Sequence, residues 1–518
     1  MKTSAALVLV AAFAPLLRAE NCDAIKSMKL ADTTISSAER VTSGNLSGPG
    51  IDHPLQDLPA FCRVTGVIRP TTDSVIRFEV WLPENDWNQR FLGVGNGGFA
   101  GTIGYQGLAG NLKRGFATAG SDAGHQGQAE DASWAYEHPE KIKDFGWRAV
   151  HLTTERSKQI VQAYYSKPIA KAYFDSCSDG GREALMEAQR FPQDYDGILA
   201  GAPANAWSRM VSSGVDVTQV TLGDPRAYIS SLKLPAVQKA ALAACDELDG
   251  VKDGIISKPE QCHFDPEVLL CKAEDSLECL TKPQLNSLRK YYSGGKDSAG
   301  KPIFPGMTMG DEAGAWPAWI SGQGPGAAAG SSYLQNYFRY MVTGDTKWNV
   351  LTANVDASLA EAVKKTAADL DSTNPDLSAF AGRGGKLILY HGWNDPAISP
   401  WNTIAYYHSV QQTMGAEKAA GFVQLYMAPG MEHCVGGPGP SAFGQLGIAT
   451  SSGPKFGVFD ALVDWVEKGV PAGTVVATKY DAANKVVMTR PLCPYPQTAK
   501  YKGTGDTNDA ANFVCGKN

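Results

Sequence analysis

The sequence predicts an α/β protein in which helices flank a mostly parallel sheet and a large insertion interrupts that sheet. Three observations support this fold class. Short apolar runs alternate with segments of helical periodicity between residues 77 and 201, the alternation stops between residues 205 and 382, and it resumes at residue 386. Alternation of strand and helix patterns is typical of parallel sheets, because parallel strands need crossover connections.

The individual elements follow from the spacing of apolar residues. Short apolar runs predict strands at 77–82, 90–94, 116–119, 170–175, 197–201, 386–390 and 422–427. Helical spacing predicts helices at 144–165, 182–190, 402–413 and 456–467. Both halves therefore contribute strands to the predicted sheet.

Residues 1–19 have the features of a signal peptide. Lys2 supplies the positive start, residues 5–17 are apolar, and Ala19 is a small residue at the expected cleavage position. A buried N-terminal helix is the alternative, but an apolar start without a polar face suits export better. No later segment has the roughly 18 consecutive apolar residues of a membrane span. We expect a secreted, extracellular protein with no membrane partner.

The charge argues against a nucleic-acid partner. The formal net charge is −6, and removal of Lys2 and Arg18 with the signal peptide takes away two positive charges, which makes it −8. The chain has no basic run, whereas nucleic-acid binding needs a basic patch.

The ten cysteines are an even number in a chain predicted to be secreted, which indicates up to five disulfides. Their spacing does not match a zinc site. Asn45-Leu46-Ser47 is an N-glycosylation sequon, so Asn45 is a candidate glycosylation site.

Ser178 is the candidate nucleophile. The segment 173–181 (YFDSCSDGG) joins a predicted strand to a predicted helix through a turn of small residues. An α/β-hydrolase holds its serine on such a turn, usually within Gly-x-Ser-x-Gly. Here Ser176 and Gly180 occupy the two glycine positions, and serine is a mild departure. A Ser-x-Gly-Gly in an ordinary loop is the alternative, but the flanking strand and helix argue against it.

The general base and the acid follow in the chain order of that fold, Ser, Asp, His. Asp395 lies in the loop after the strand at 386–390, and His433 lies in the loop after the strand at 422–427. His391 and His125 are other histidines near these motifs. Neither follows the acid, so we expect each to be a structural or pocket histidine.

Two cysteines adjoin this set. Cys177 precedes the serine and Cys434 follows the histidine. A disulfide between them requires Cα atoms within about 7 Å, which would hold Ser178 and His433 together. Two unpaired core cysteines are the alternative.

An oxyanion hole needs two N–H donors. The N–H of Asp179 supplies one, and the glycine-rich loop 95–101 (GNGGFAG) lies where the second is expected. A phosphate-binding loop is the competing interpretation, but no Lys-Ser/Thr follows the glycines.

With these residues placed, the chain divides into three parts after the signal peptide. Residues 20–204 and 383–518 form the two halves of an α/β-hydrolase core, and residues 205–382, called the insert below, form a lid domain over the active site. The insert is rich in Gly, Ala, Pro, Trp and Cys and is predicted to contain short helices. A separate binding module is less favoured, because the sheet continues after the insert.

The insert contains a candidate metal loop at 245–255 (CDELDGVKDGI). Closely spaced Asp side chains and backbone carbonyls are hard oxygen ligands that suit Ca²⁺, although the EF-hand pattern is not met. Cys245 and Cys262 bracket the loop, so a bound metal would be structural. A solvated turn is the alternative.

These residues together resemble the tannase and feruloyl esterase family, and the chain looks most like its secreted feruloyl esterases. The resemblance extends over nearly all of the mature chain. It rests on Cys-Ser-x-Gly-Gly at 177–181, Arg-Phe-Pro at 190–192 with Tyr-Asp-Gly at 195–197, the metal loop, Tyr-His-Gly at 390–392, Pro-Gly-Met-x-His-Cys at 429–434 and 490–496 (RPLCPYP).

The resemblance implies roles for individual residues. Ser178, Asp395 and His433 would form the catalytic triad, and Gly98 and Asp179 would give the oxyanion N–H groups. Structural Ca²⁺ would be held by the side chains of Asp246, Asp249 and Asp253 and the carbonyls of Val251 and Ile255, with no organic cofactor. The implied disulfides are Cys22–Cys62, Cys177–Cys434, Cys245–Cys262, Cys271–Cys279 and Cys493–Cys515.

The resemblance also implies an aromatic ester substrate. Family members cleave hydroxycinnamoyl esters of plant cell-wall polysaccharides such as xylan or galloyl esters of tannins, and a bacterial relative hydrolyses mono(2-hydroxyethyl) terephthalate. We expect a feruloylated polysaccharide or oligosaccharide, with the other two classes as alternatives. A serine peptidase and a catalytically silent wall-binding protein remain further alternatives, and the complete triad argues against the silent protein.

The insert holds the aromatic residues that would select the acyl group. Two interpretations are open: these aromatics line a pocket, or they belong to the core, where aromatics at helical spacing are more often found. They are Trp316, Trp319, Tyr333, Tyr337 and Phe338.

Overall fold

A computed structural model describes residues 19–51, 53–450 and 457–517. Residues 1–18 of the expected signal peptide and residue 456, the first of a predicted helix, lie outside this part. Within the described residues, no helix combines the length and the apolar character needed to cross a membrane.

The centre of the molecule is a nine-stranded mixed sheet. Its strands, numbered in chain order, are β1 (Thr33–Val41), β2 (Phe61–Ile68), β3 (Ile76–Pro83), β4 (Arg90–Val94), β5 (Ala117–Ser121), β6 (Lys171–Cys177), β7 (Gly197–Gly201), β8 (Lys386–Gly392) and β9 (Val423–Ala428). They lie side by side in the order β1-β2-β3-β5-β4-β6-β7-β8-β9.

Strand direction positions the site. The pairs β1–β2, β2–β3 and β3–β5 are antiparallel, and the strands β5, β4, β6, β7, β8 and β9 run parallel to one another. Parallel strands end at the same edge of a sheet, so the loops after β6, β8 and β9 emerge together. Strands β7 and β8 pair directly, although the insert separates them in sequence.

The described residues contain fifteen α-helices, numbered α1 to α15 in chain order. They are Ala19–Ile25, Tyr105–Leu112, Pro139–Lys143, Ala149–Tyr165, Asp179–Arg190, Trp207–Leu222, Leu234–Cys245, Lys282–Ser293, Glu312–Trp316, Ala329–Asn336, Val355–Leu370, Ser378–Gly382, Pro400–Met414, Ala416–Ala420 and Val458–Lys468. π-Helical turns occur at Asp144–Arg148, Pro317–Ser321 and Tyr337–Val342.

Small two-stranded ribbons complete the secondary structure. They pair Gly44–Leu46 with Leu55–Leu58, Gly295–Lys296 with Pro302–Phe304, Val475–Tyr480 with Val486–Leu492, and Thr498–Tyr501 with Phe513–Gly516. Asn45 lies in the first ribbon with its side chain exposed, and its glycosylation stays a prediction.

The central strands are buried on both faces. Neighbouring residues such as Tyr173 and Phe174 belong to different apolar clusters, one on each side of the sheet. Side chains alternate between faces along a strand, so a strand covered by helices on both sides needs a continuous apolar run. This explains why the parallel strands were readable from sequence.

The α/β-hydrolase-type core predicted from sequence is confirmed, with some differences. Strands β1 and β2 and the C-terminal ribbons were not predicted, because they alternate apolar with polar residues at a sheet edge or at the surface. The insert contains two 16-residue helices, α6 and α11, where only short helices were expected. Helix α6 contains many valines and threonines, which have low helix propensity, and its packing against α11 overrides that preference.

Five disulfides cross-link the chain. They join Cys22 to Cys62, Cys177 to Cys434, Cys245 to Cys262, Cys271 to Cys279, and Cys493 to Cys515. These are the pairs that the resemblance implied.

Candidate active site

Ser178 lies on a sharp turn between β6 and α5. Its backbone is in a region that residues other than glycine rarely adopt, with φ 68° and ψ −123°. Such backbone strain persists only where surrounding contacts hold it. A side chain on Gly180 would collide with the Ser176 hydroxyl, and one on Gly181 would collide with the Gly201 carbonyl. Small residues around the serine are therefore a steric requirement of this turn.

Three side chains from the loops after β6, β8 and β9 form one hydrogen-bonded chain. His433 Nε2 lies 2.8 Å from Ser178 Oγ, and His433 Nδ1 lies 2.7 Å from Asp395 Oδ2. The Asp395 side chain is fully buried, and that of His433 is 14% exposed. The sequence placed these residues 217 and 255 positions from the serine (395 − 178 and 433 − 178), and the sheet brings them into contact.

Asp395 is held in its ionised form. Burial acts to raise the pKa of Asp395, but the charge of His433 and the hydrogen bonds from His391 and His433 outweigh it, so the pKa lies below its usual range. The second oxygen, Oδ1, accepts the N–H groups of Ala397 and Ile398. A buried carboxylate with this many donors is fixed in orientation as well as charge.

Two other histidines lie near these motifs, and each has partners of its own. His391 is buried, with Nδ1 2.7 Å from Thr403 Oγ1 and Nε2 3.1 Å from Asp395 Oδ2. It therefore supports the acid of the hydrogen-bonded chain, a contact that the sequence argument did not identify. His125 contacts the Phe99 carbonyl and stacks on Trp134, and burial lowers the pKa of His125 to about 4.

A disulfide lies beside this chain of hydrogen bonds. Cys177 and Cys434 are bonded with their Cα atoms 6.0 Å apart, at a sequence separation of 257. The bond joins the residue before Ser178 to the residue after His433. It therefore links the two loops through the backbone positions next to Ser178 and His433.

The glycine-rich loop 95–101 is tied to the start of α5. The N–H of Asn96 donates to Glu183 Oε2 at 2.8 Å, and the Asn96 carbonyl accepts the N–H of Gly180 at 2.8 Å. The Asn96 side-chain amide donates to the carbonyls of Thr102 and Ser121. The sequence argument did not identify Asn96 or Glu183, because their partners lie in other elements.

The backbone N–H groups of Gly98 and Asp179 are the donors that the resemblance assigned to an oxyanion hole. Among the described residues, no hydrogen bond uses the N–H of Gly98 or of Asp179. Gly98 has φ +60°, and a side chain there would collide with Ala129 and Tyr333. Gly98 and Asp179 line the same cavity as Ser178, so their two N–H groups are a suitable environment for an anionic oxygen.

A cavity of about 1070 Å³ opens onto Ser178 and His433. Its lining includes residues of the core (20–204 and 383–518), called the sheet domain below, and residues of the insert. Of the five insert aromatics, Trp319 and Tyr333 line the cavity. Trp316, Tyr337 and Phe338 are buried in apolar clusters. The pocket and core alternatives thus each hold for part of the set.

The metal loop contains three aspartates, of which Asp246 is buried. Asp246 accepts the N–H groups of Asp253, Gly254 and Ile255, and Asp253 Oδ2 lies 2.6 Å from Arg490. Burial, with the charges of Asp249 and Asp246, raises the pKa of Asp253 to about 6 against the opposing effect of Arg490.

The loop has the ligand types and the charge for a divalent cation. Three aspartates and one arginine leave two negative charges, and hard oxygens suit Ca²⁺. Among the described residues, Asp246, Asp249 and Asp253 do not form a group of three closely spaced donors. In the described part of the chain, groups of three His, Cys, Asp or Glu donors within 4.8 Å of one another are Cys271–Asp275–Cys279 and His151–Glu187–Asp194.

Comparisons with known proteins show which family the chain is similar to. The sequence profile described as "Tannase and feruloyl esterase" matches residues 62–516. An uncharacterized esterase of Xanthomonas campestris pv. campestris is 43% identical over 95% of this chain and 91% of its own length. A probable feruloyl esterase B-1 of Aspergillus oryzae is 34% identical over 90% of this chain and 86% of its own length. The crystal structure of feruloyl esterase B from Aspergillus oryzae superposes with a TM-score of 0.88 at 31% identity, over 96% of this chain and 99% of that one.

Proposed function

The chain belongs to the tannase and feruloyl esterase family and is a carboxylic ester hydrolase, and on that premise we propose that it is a secreted serine esterase acting on feruloyl esters. Ser178 is the nucleophile, His433 the general base and Asp395 the acid that orients and stabilises the imidazolium. The observation that carries the proposal is the unbroken hydrogen-bonded chain from Ser178 Oγ through His433 to Asp395 at the cavity.

The reaction follows two symmetrical steps. Ser178 Oγ attacks the ester carbonyl carbon while His433 Nε2 takes the hydroxyl proton, and the carbonyl oxygen becomes an oxyanion facing the N–H groups of Gly98 and Asp179. The intermediate collapses as His433 returns the proton to the leaving alcohol, which leaves an acyl-enzyme. Water then attacks the acyl carbon with His433 as base, and the acid departs. Asp395 stays ionised throughout, in keeping with its lowered pKa.

The aromatic acyl group would occupy the insert side of the cavity. Trp319 and Tyr333 lie there together with apolar side chains of α6 such as Met210 and Val217. A flat aromatic acid with few charges fits a mostly apolar pocket with isolated polar groups. Relatives named feruloyl esterase B support a hydroxycinnamoyl group. The matched family includes tannases, so a galloyl ester is the second candidate, ahead of mono(2-hydroxyethyl) terephthalate.

The leaving alcohol would be a sugar of a plant cell-wall polysaccharide or oligosaccharide. Two features support an extracellular setting for that substrate. The sequence starts with a signal-peptide pattern, and all five disulfides suit an oxidising compartment.

We also assign a structural role to Ca²⁺ in the loop at 245–255. The side chains of Asp246, Asp249 and Asp253 would hold it with the carbonyls of Val251 and Ile255. The excess negative charge and the buried carboxylates support this assignment. The loop is part of the insert and supplies no residue to the hydrogen-bonded chain at Ser178, so calcium would act on stability and not on the chemistry.

The decisive experiment measures kcat/KM on methyl ferulate, caffeate, p-coumarate, sinapate and gallate, with Ser178→Ala as the blank. Higher kcat/KM on the hydroxycinnamates than on gallate is expected. A preference for gallate would make the protein a tannase. Hydrolysis of peptides without ester turnover, or no turnover of any aryl ester, would overturn the proposal.

A further inference from the structure

A tyrosine of the insert reaches the oxyanion region. Tyr333 belongs to α10, and its hydroxyl lies 2.5 Å from the position a Cβ on Gly98 would occupy. Since N and Cβ of one residue are about 2.5 Å apart, the hydroxyl lies within about 5 Å of the Gly98 nitrogen. Tyr333 also lines the cavity that contains Ser178.

The Tyr333 hydroxyl is an unused donor. Among the described residues it makes no hydrogen bond, whereas two other phenols of the insert are paired, Tyr337 with Thr366 and Tyr292 with Glu312. Burial, together with the charges of Glu130 and Asp179, raises the pKa of Tyr333 above its usual range. The phenol therefore keeps its proton at every pH at which an esterase of this type works.

Aromatic packing fixes the position of this hydroxyl. The Tyr333 ring stacks on Trp319 with centroids 6.0 Å apart and planes at 9°, and it contacts Phe99 of the glycine-rich loop at 5.2 Å. Trp319 in turn meets the His433 ring edge-on at 5.2 Å. The phenol is thus anchored to the loop that carries Gly98 and, through one ring, to the base.

We propose that Tyr333 is a catalytic residue whose hydroxyl donates a third hydrogen bond to the substrate carbonyl oxygen as it becomes an oxyanion, beside the N–H groups of Gly98 and Asp179. The inference rests on the proposed serine mechanism. The tyrosine keeps its proton throughout, so no bond forms or breaks at Oη. Its contribution arises because a preorganised donor interacts more strongly with a developing negative charge than with a neutral carbonyl.

The inference changes the role of the insert. A segment whose aromatic residues would otherwise only select the acyl group also supplies a donor to the transition state. Substrates must then be enclosed by the insert for full rate, not only for affinity.

Tyr333→Phe tests the inference, because phenylalanine keeps the ring packing and removes only the donor. Loss of a single oxyanion donor costs about 10²–10³-fold in rate where the donor is a main one. For a third donor we expect kcat to fall about 10- to 100-fold with KM changed less than about threefold. Tyr340→Phe is the matched control, since Tyr340 lies in the same insert but does not line the cavity; it should keep the wild-type rate.

The affinity for a boronic acid inhibitor is a second readout, and a purely structural role of Tyr333 would not change it. The inhibitor adds to the serine oxygen and places a boronate oxygen in the oxyanion site, so its affinity for Tyr333→Phe should weaken by the same factor as kcat/KM. Replacement of Tyr333 by 3-fluorotyrosine retains the hydroxyl and should restore the wild-type kcat and boronate affinity, whatever the melting temperature of the phenylalanine variant.

Three results would overturn the inference: an unchanged kcat for Tyr333→Phe, a loss confined to KM with full boronate affinity, or no rescue by 3-fluorotyrosine. Failure of the underlying mechanism has a separate signature. If Ser178→Ala keeps turnover and a fluorophosphonate fails to label the wild-type protein at Ser178, the serine mechanism itself is wrong. If both of those tests succeed and Tyr333→Phe is unaffected, only the role of Tyr333 is wrong.

Discussion

The sheet domain and the insert form the two sides of one cavity, and they are built differently. On the sheet side, the functional loops follow parallel strands whose backbone hydrogen bonds set their positions. On the insert side, the short helix α10 carries Tyr333 and a π-helical turn carries Trp319. The main apolar cluster, a smaller cluster within the insert and two disulfides hold the segment together.

The difference suggests that the sheet domain positions the reacting atoms and that the insert selects the acyl group. Reacting atoms must be held to within a fraction of an ångström, and strand ends provide that precision. Acyl-group selection tolerates variation, and loops and short helices can vary without disturbing the sheet. Tyr333 would be the exception, because it brings a donor from the variable side to the reacting oxygen. The following predictions test this division, starting with the largest effect.

Removal of the nucleophile should abolish the chemistry and leave the fold intact. Ser178→Ala is expected to lower kcat by about 10⁴-fold or more, because no acyl-enzyme forms. Adding His433→Ala or Asp395→Ala to the Ser178→Ala variant should lower kcat little further, since the three residues act as a unit. Ser213→Ala is a suitable control: this serine lines the cavity from the insert side and donates to the Met210 carbonyl. Retention of wild-type turnover by Ser178→Ala would rule out the mechanism.

Loss of the disulfide on the sheet side should reduce activity beyond its effect on folding. Cys177→Ala/Cys434→Ala is expected to lower kcat about 10- to 100-fold at a temperature where circular dichroism shows folded protein, because the loops of Ser178 and His433 are no longer linked and a shift of about 1 Å costs about 10²-fold.

The insert offers a matched control for this variant. Cys271→Ala/Cys279→Ala removes a disulfide that spans 8 positions instead of 257. The chain-entropy model gives roughly 2–3 kcal/mol for the short loop and roughly 5 kcal/mol for the long one. The control should lose some stability and keep kcat. Full kcat in the Cys177/Cys434 variant would mean that its disulfide serves stability alone.

Filling the insert side of the cavity should change substrate selection and spare the chemistry. Met210→Trp is expected to lower kcat/KM for methyl ferulate about tenfold while turnover of an acetyl ester stays within about threefold, because the added ring occupies acyl space and leaves the serine untouched. Val220 lies on the exposed face of the same helix, so Val220→Trp should change the turnover of neither ester. An equal loss on both esters would contradict the division.

Removal of calcium should have the smallest effect on kcat. Chelation is expected to lower the melting temperature, because an ion that binds only the native state stabilises it by mass action, by about 2.7 kcal/mol at a hundred times its Kd. The folded fraction should keep its activity. The Asp246→Asn variant should have a lower melting temperature than the wild type, and chelator should not lower it further. Absence of calcium from protein purified without chelator, measured by elemental analysis, would refute the assignment.

Local patterns carried much of the sequence-based reasoning. Continuous apolar runs predicted strands such as β4 and β7, because strands covered on both faces leave no room for polar side chains. Where the chain is half exposed, as in β1 and β2, alternation with polar residues hid the strands. The unexpected length of α6 has a similar cause, since burial against α11 overrides the weak helix propensity of its valines and threonines.

The sequence by itself determined those residues whose role depends on the short segment around them. A serine between small residues at a strand–helix junction, an acid and a histidine in the order of the fold, and cysteines beside the serine and the histidine are features of short segments.

Only the tertiary structure decided which aromatics face the cavity. Trp316 and Trp319 are three residues apart, yet one is buried in a cluster and the other lies against His433. The contacts of Glu183 with Asn96, of Arg490 with Asp253 and of Tyr333 with the Gly98 loop were equally hidden. Each joins elements far apart in the chain, and the packing of those elements depends on long-range burial that local periodicity does not encode.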